Sequence, residues 1–148
     1  MIDARDRYLR ENGFSVDEYA RSSFQLGSGR FRVTLPNPPQ RRATVGLHDL
    51  HRVATGLGSG VVDETLVSAW EVGAGLGGLW VAWVICVPAF VGGLVIAPRR
   101  AWGAFRRGRR CRSLFADRPP YPELLDLSGA DLRRRLGLPV EGLSSRAA

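Results

Sequence analysis

Hydrophobic positions follow three patterns along this chain. Phe31, Val33 and Leu35 alternate with Arg30, Arg32 and Thr34. A period of two predicts a short strand or extended segment with one buried face. It runs into "LPNPPQRR", whose prolines favour extended, polyproline-like backbone over helix. The second pattern is helical. Thr44 to Thr55 reads as a helix, which Gly56, Gly58 and Gly60 then break, and "VVDETLVSAWEVG" resumes with Val62, Leu66, Ala69 and Trp70 as an apolar stripe. The third is a run without periodicity: residues 72–97, 26 in all, carry no charge.

The ends of the chain read as short helices. "DARDRYLRENG" closes on Asn12-Gly13, a C-cap signature, and Ser15 with Glu18 makes a capping box for "VDEYARSSF". Beyond residue 112, "ADRPPYP" reads as a loop and "ELLDL" as a helical turn. Ser128 and Asp131 cap "GADLRRRL", which closes at Gly137 and docks through Leu132, Leu136 and Leu138.

The uncharged run has two readings. It is long enough to cross a bilayer core of roughly 30 Å, and tryptophans and a basic cluster flank it. Six glycines and Pro88 interrupt it, however, which favours two apolar helices broken near Pro88 that line a core or touch a membrane. Together these patterns predict an all-α fold: one compact helical bundle over residues 1–148, with a short extended N-terminal segment and glycine- and proline-broken apolar helices. A length of 148 residues suits one domain.

Charge changes this picture in one place. The net charge is +7 and all 21 basic residues are arginine. Arg99, Arg100, Arg106, Arg107, Arg109, Arg110 and Arg112 lie in one window without an acid, and the other 14 arginines balance the 14 acids. One patch therefore carries the whole excess, and such a patch attracts phosphates of lipid headgroups or nucleic acid. No interleaved aromatics or fold signals of a nucleic-acid module accompany it, so no specific nucleic acid is expected. Cys86 sits in the apolar run as a small core residue, and Cys111 lies among arginines without a nucleophilic partner. The opening "MIDARDRYLREN" has no apolar core of a secretory signal, so the cytoplasm is the expected compartment.

Candidate chemistry concentrates in "LHDLHRVATGLGSGVVDE", residues 47–64, which holds both histidines. His48 and His51 share a helix face, with Asp49 about 100° round. Two imidazoles with carboxylates from the same helix and from Asp63 or Glu64 make a nitrogen–oxygen site suited to zinc or another divalent metal. The bland alternative is an exposed polar face with an Asp49–Arg52 pair. No phosphate-binding glycine fingerprint, nucleophile elbow or zinc-finger framework is present.

The succession "YLRENGFS", "LPNPPQRR", "LHDLHRVATG", "DETLVSAWEVGAG", "APRRAWGAFRRGRR" and "LRRRLGLP" resembles the ubiquinone (coenzyme Q) biosynthesis protein family of Coq type. It is most similar to the small helical member with an H-D-x-x-H-(x11)-E metal signature, in its short bacterial form, roughly from Tyr8 to Pro139. The resemblance implies a helical protein, peripheral on the inner membrane, that binds a polyprenyl lipid or quinone precursor. It implies an organising role and a metal-dependent decarboxylation of the ring precursor. It implies as partners an anionic membrane surface, other quinone-biosynthesis proteins and a second copy in a homodimer. It places metal ligands at His48, Asp49 and Glu64, and a lipid headgroup surface at Arg99, Arg100, Arg106, Arg107, Arg109 and Arg110. The second histidine of the signature falls on Arg52, which has no lone pair to offer and puts the activity in doubt. Either His51 takes over after a modest helix rotation, or the metal is lost and Arg52 pairs with Asp49 or Glu64. The second is favoured, because the guanidinium then supplies the charge those carboxylates need. The alternative to the whole reading is a single-pass membrane protein with a cytoplasmic polybasic segment and no catalytic activity.

Overall fold

Three prolines in "LPNPPQRR" end one element and start another. The structure, a computed structural model, describes residues 2–3, 6, 23–26 and 33–143. Strand β2 (Val33–Pro36) pairs antiparallel with β1 (Ser23–Leu26), Phe24 opposite Leu35. The alternating segment is therefore a strand as expected. Its partner falls where the second N-terminal helix should have ended, at Ser23 and Phe24, because an isolated strand needs a ladder partner for its backbone. The rest of that expected helix, and nearly all of the first, lie outside the described residues.

Helix α1 (Pro39–Thr55) begins five residues before the expected Thr44. Pro39 sits at its first position, where a missing N–H costs nothing and the fixed φ suits the helix. Gly56 closes it in the left-handed conformation (φ 71°). Its last carbonyls are held from the far end of the chain: Arg133 Nε donates to Ala54 O (2.9 Å) and the Leu143 amide to Thr55 O (2.7 Å).

Helix α2 (Val61–Ala74) buries Leu66, Ala69 and Trp70 of its expected stripe. The apolar run then breaks, but not at Pro88. Gly75 and Gly77 adopt positive φ, and α3 (Trp80–Ile96) runs through Pro88. Pro88 is tolerated because it lies on the exposed face of α3, where water can satisfy the carbonyl one turn back. Helix α4 (Pro98–Gly108) follows at once, then three short helices: α5 (Leu114–Asp117), α6 (Tyr121–Asp126) and α7 (Gly129–Leu136). The last two residues of α5, Ala116 and Asp117, and the first two of α6, Tyr121 and Pro122, lie within the segment expected to be a loop. The α7 cap is as expected: Ser128 Oγ accepts from the Asp131 amide (3.1 Å), and Leu132, Leu136 and Leu138 are buried.

The fold is all-α apart from the β1–β2 ribbon, with α2 at its centre, packed along both α3 and α4. Its crossing with α4 is unusually close. A β-carbon on Gly73 would collide with the Phe105 carbonyl, and one on Gly108 with the Trp70 carbonyl. This contact lets α3 and α4 lie against α2 with Trp70 fully enclosed. No helix among the described residues is long and apolar enough to cross a membrane.

Candidate functional site

Three helices each deliver part of one polar cluster into this apolar core. Helix α1 supplies His48, His51 and Arg52 from neighbouring turns. Helix α2 supplies Glu64 and Glu71, seven residues and two turns apart. Helix α3 supplies Cys86.

Glu71 is the hub and is fully buried. Its Oε1 accepts from His48 Nδ1 (2.9 Å) and His51 Nδ1 (2.8 Å); its Oε2 lies 2.9 Å from His48 Nδ1 and accepts from the Cys86 thiol (3.1 Å). His51 is locked from its other side, where the Leu114 amide donates to Nε2 (3.0 Å). An amide donates to a bare ring nitrogen, which leaves Nδ1 as the His51 donor to Glu71. Trp70 and Phe115 hold its ring edge-on, with centroids 5.1 and 4.8 Å away.

The electrostatics follow from this cage. Burial by itself would raise the Glu71 carboxyl, but the facing imidazoles of His48 and His51 overcome it and hold the group at about 2. Burial, reinforced by the Glu71 charge, pushes the Cys86 thiol well above its ordinary range. At neutral pH the cluster is an anionic carboxylate that receives three donors.

His48 is the member that reaches toward solvent, with its side chain 13% exposed. Its Nε2 faces Glu64 Oε1 and Arg52 Nε, each at 3.2 Å. One neighbour accepts and the other donates, so Nε2 has a partner in either tautomer. Arg52 forms an ion pair with Glu64. Of the pairings open to Arg52 from the sequence, the one with Glu64 is present.

The expected ligands are therefore only partly brought together. His48 and Glu64 meet. Asp49 is buried on α1 but does not converge with His48 and Glu71 into a metal-ligating group. His51 sits beside them, its Nδ1 on Glu71 and its Nε2 accepting from the Leu114 amide, and is not part of a metal-ligating group among the described residues. Instead, His48, Glu71 and Cys86 bring one nitrogen, one oxygen and one sulfur donor within 4.8 Å of one another, a group that could hold a metal ion. Sequence reasoning passed over Glu71 and Cys86. Glu71 had a signal: it repeats Glu64 two turns on and is the last acid before the uncharged run. Cys86 had none beyond its apolar neighbours.

The expected headgroup arginines occupy a different surface. Arg99, Arg100, Arg106, Arg107, Arg109 and Arg110 are all exposed on α4 and the turn that follows it. Among the described residues only Arg100 has an acid partner, Asp63 at 3.7 Å. Beside them α3 is apolar on every side. Ala82, Cys86 and Gly93 face inward, and Trp80, Trp83, Val84, Val91, Val95 and Ile96 are exposed, Val95 at 80%. Trp102 of α4 continues this face and stacks on Phe105.

Comparison with protein families, with characterised proteins and with solved structures finds no match to this chain.

Proposed function

We propose that this protein works at an anionic membrane surface and there holds a polyprenyl quinone precursor, in an organising role in quinone biosynthesis. The observation that carries the reading is the outward apolar face of α3 beside the exposed arginines of α4, of which only Arg100 has an acid partner among the described residues. An exposed apolar patch of this kind marks an interaction surface, and a basic rim selects the headgroup region of an anionic leaflet.

The residues also fit a metal. His48, Glu71 and Cys86 offer the mixed nitrogen, oxygen and sulfur set that favours zinc. Coordination would require the Cys86 thiol to give up the proton it donates to Glu71. A zinc ion held by these residues would supply Lewis acidity, the chemistry a decarboxylase activity would call on. His48 is the residue that joins this interior to solvent. Arg52 keeps Glu64 occupied and holds positive charge next to His48, which weakens the site for a divalent ion.

Flotation with phospholipid vesicles tests the membrane reading. The protein is expected to rise with phosphatidylglycerol vesicles and to remain behind with phosphatidylcholine. Paired Val84→Asp and Val95→Asp changes, both at exposed positions, should abolish flotation without lowering the melting temperature. Equal behaviour on both vesicle types, or flotation that survives the double change, refutes the reading.

A further inference from the structure

Away from the α3 face and the Glu71 cluster, sharing no residue with either, a cavity of about 380 Å³ opens between the first turns of α1, the residue before α3 and the α5–α6 link. Its volume lies at the small end of metabolite pockets. Leu47 and Leu79 form a buried apolar floor, and the Tyr121 ring lies over Gly46, close enough that a β-carbon there would stand 3.1 Å from it. The only charged residues in the lining are Arg42, half-buried, and Arg118, exposed. Neither guanidinium has an acid partner among the described residues.

Arg118 is held there at a conformational cost. It is the only non-glycine with positive φ (45°) among the described residues. L residues adopt that region rarely, and such outliers persist where the surroundings over-determine them. Its guanidinium lies against Gly78, where a β-carbon would come within 2.5 Å of Nη2. Any side chain at position 78 would push this cation off the cavity.

An apolar floor with two unneutralised guanidiniums repels cations and gives a neutral hydrocarbon no use for the arginines. We propose that this cavity binds a small amphipathic anion, an apolar chain or ring bearing one carboxylate or phosphate. The apolar part lies against Leu47, Leu79 and Tyr121, and the head meets Arg42 and Arg118. Both head groups present the acceptor oxygens that a guanidinium engages in paired hydrogen bonds.

Titration calorimetry with octanoate, octyl phosphate and octanol, each below its micellar concentration, tests this. At least one of the two anions should bind, and which one binds tighter identifies the head. Octanol should bind at least about tenfold more weakly, since it cannot form the charged hydrogen bonds. Arg42→Gln should weaken anion binding about tenfold. Arg118→Gly should weaken it similarly while raising the melting temperature, because glycine accepts this φ freely. That opposition of signs separates lost binding from lost folding. Octanol binding as tightly as the anions overturns the proposal, as does no heat with either anion at millimolar concentration. Loss of binding on Arg106→Gln with Arg109→Gln, but not on Arg42→Gln, also overturns it by moving the anion to α4. Vesicle flotation should be unchanged in Arg42→Gln, so this site and the membrane surface stand or fall separately.

Discussion

At the residue scale the chemistry turns on Glu71. The folded protein titrates this carboxyl at about 2 against an ordinary value of 4.5. Its anion therefore favours the folded state above about pH 4.5, and that contribution fades as pH falls toward about 2. Its size is on the order of 3 kcal/mol. Urea unfolding followed from pH 6 to pH 2.5 should show stability declining over the acid half of this range. Glu71→Gln should flatten that decline and cost about 3 kcal/mol at neutral pH, because His48, His51 and Cys86 would lose a charged acceptor. The ligand set is tested at the same scale. Elemental analysis after zinc loading should show metal reduced by Cys86→Ala and by Glu71→Gln but retained in Asp49→Asn, with Arg52→His binding more than the parent. Metal that survives Cys86→Ala and disappears with Asp49→Asn would return the site to the signature ligands. His48 was legible from helix spacing, which left Asp63 and Glu64 open; Glu64 and the place of Arg52 in the signature came from the family resemblance. Glu71 and Cys86 were not legible, because both read equally well as parts of an apolar helix.

At the scale of elements, α2 and α4 cross with backbone against backbone. Gly73→Ala and Gly108→Ala each put a methyl group into a backbone carbonyl of the partner helix. Neither carbonyl can move without shifting a helix, so each change should cost about 3 kcal/mol or more in thermal or denaturant unfolding. Gly103, in the same helix α4 with open space about it, supplies the contrast. There alanine should stabilise by about 0.5–1 kcal/mol, since it restricts the unfolded chain and meets nothing in the folded one. The helices from Thr44 to Thr55 and from Val61 onward, and the Ser128 cap, could be read from periodicity and capping residues. The break in the uncharged run could not be placed. Proline looked the stronger breaker, but Pro88 lies where its missing hydrogen bond faces outward, and the glycines at 75 and 77 make the turn.

For the whole molecule, the net charge of +7 and the apolar face of α3 act together. Vesicle affinity should fall as salt rises, because exposed charges are screened over about 10 Å at ordinary ionic strength. Arg106→Gln with Arg107→Gln should lower both the affinity and its salt dependence, and Val95→Asp should lower the affinity while leaving the salt slope. Alkaline carbonate should release the protein from membranes; full retention would favour the single-pass alternative. Pairing of the α3 face with a second copy instead would appear as a dimer in sedimentation that Val95→Asp dissolves.

The sequence by itself determined the helical class, the helix ends at Gly56, Ser128 and Gly137, the place of the excess charge and the position where a cation stands beside two histidines. Each follows from local physics: residue period, capping chemistry and charge spacing. Tertiary structure alone decided that Glu71 sits between His48, His51 and Cys86, residues 15 to 23 positions away on two other helices. That meeting depends on how α1, α2 and α3 pack together, which no local pattern encodes. It also decided which side of α3 stays uncovered. A helix that is apolar all round carries no mark of its inner face, so only the packing of α2 and α4 against it leaves Trp80, Trp83 and Val95 facing out.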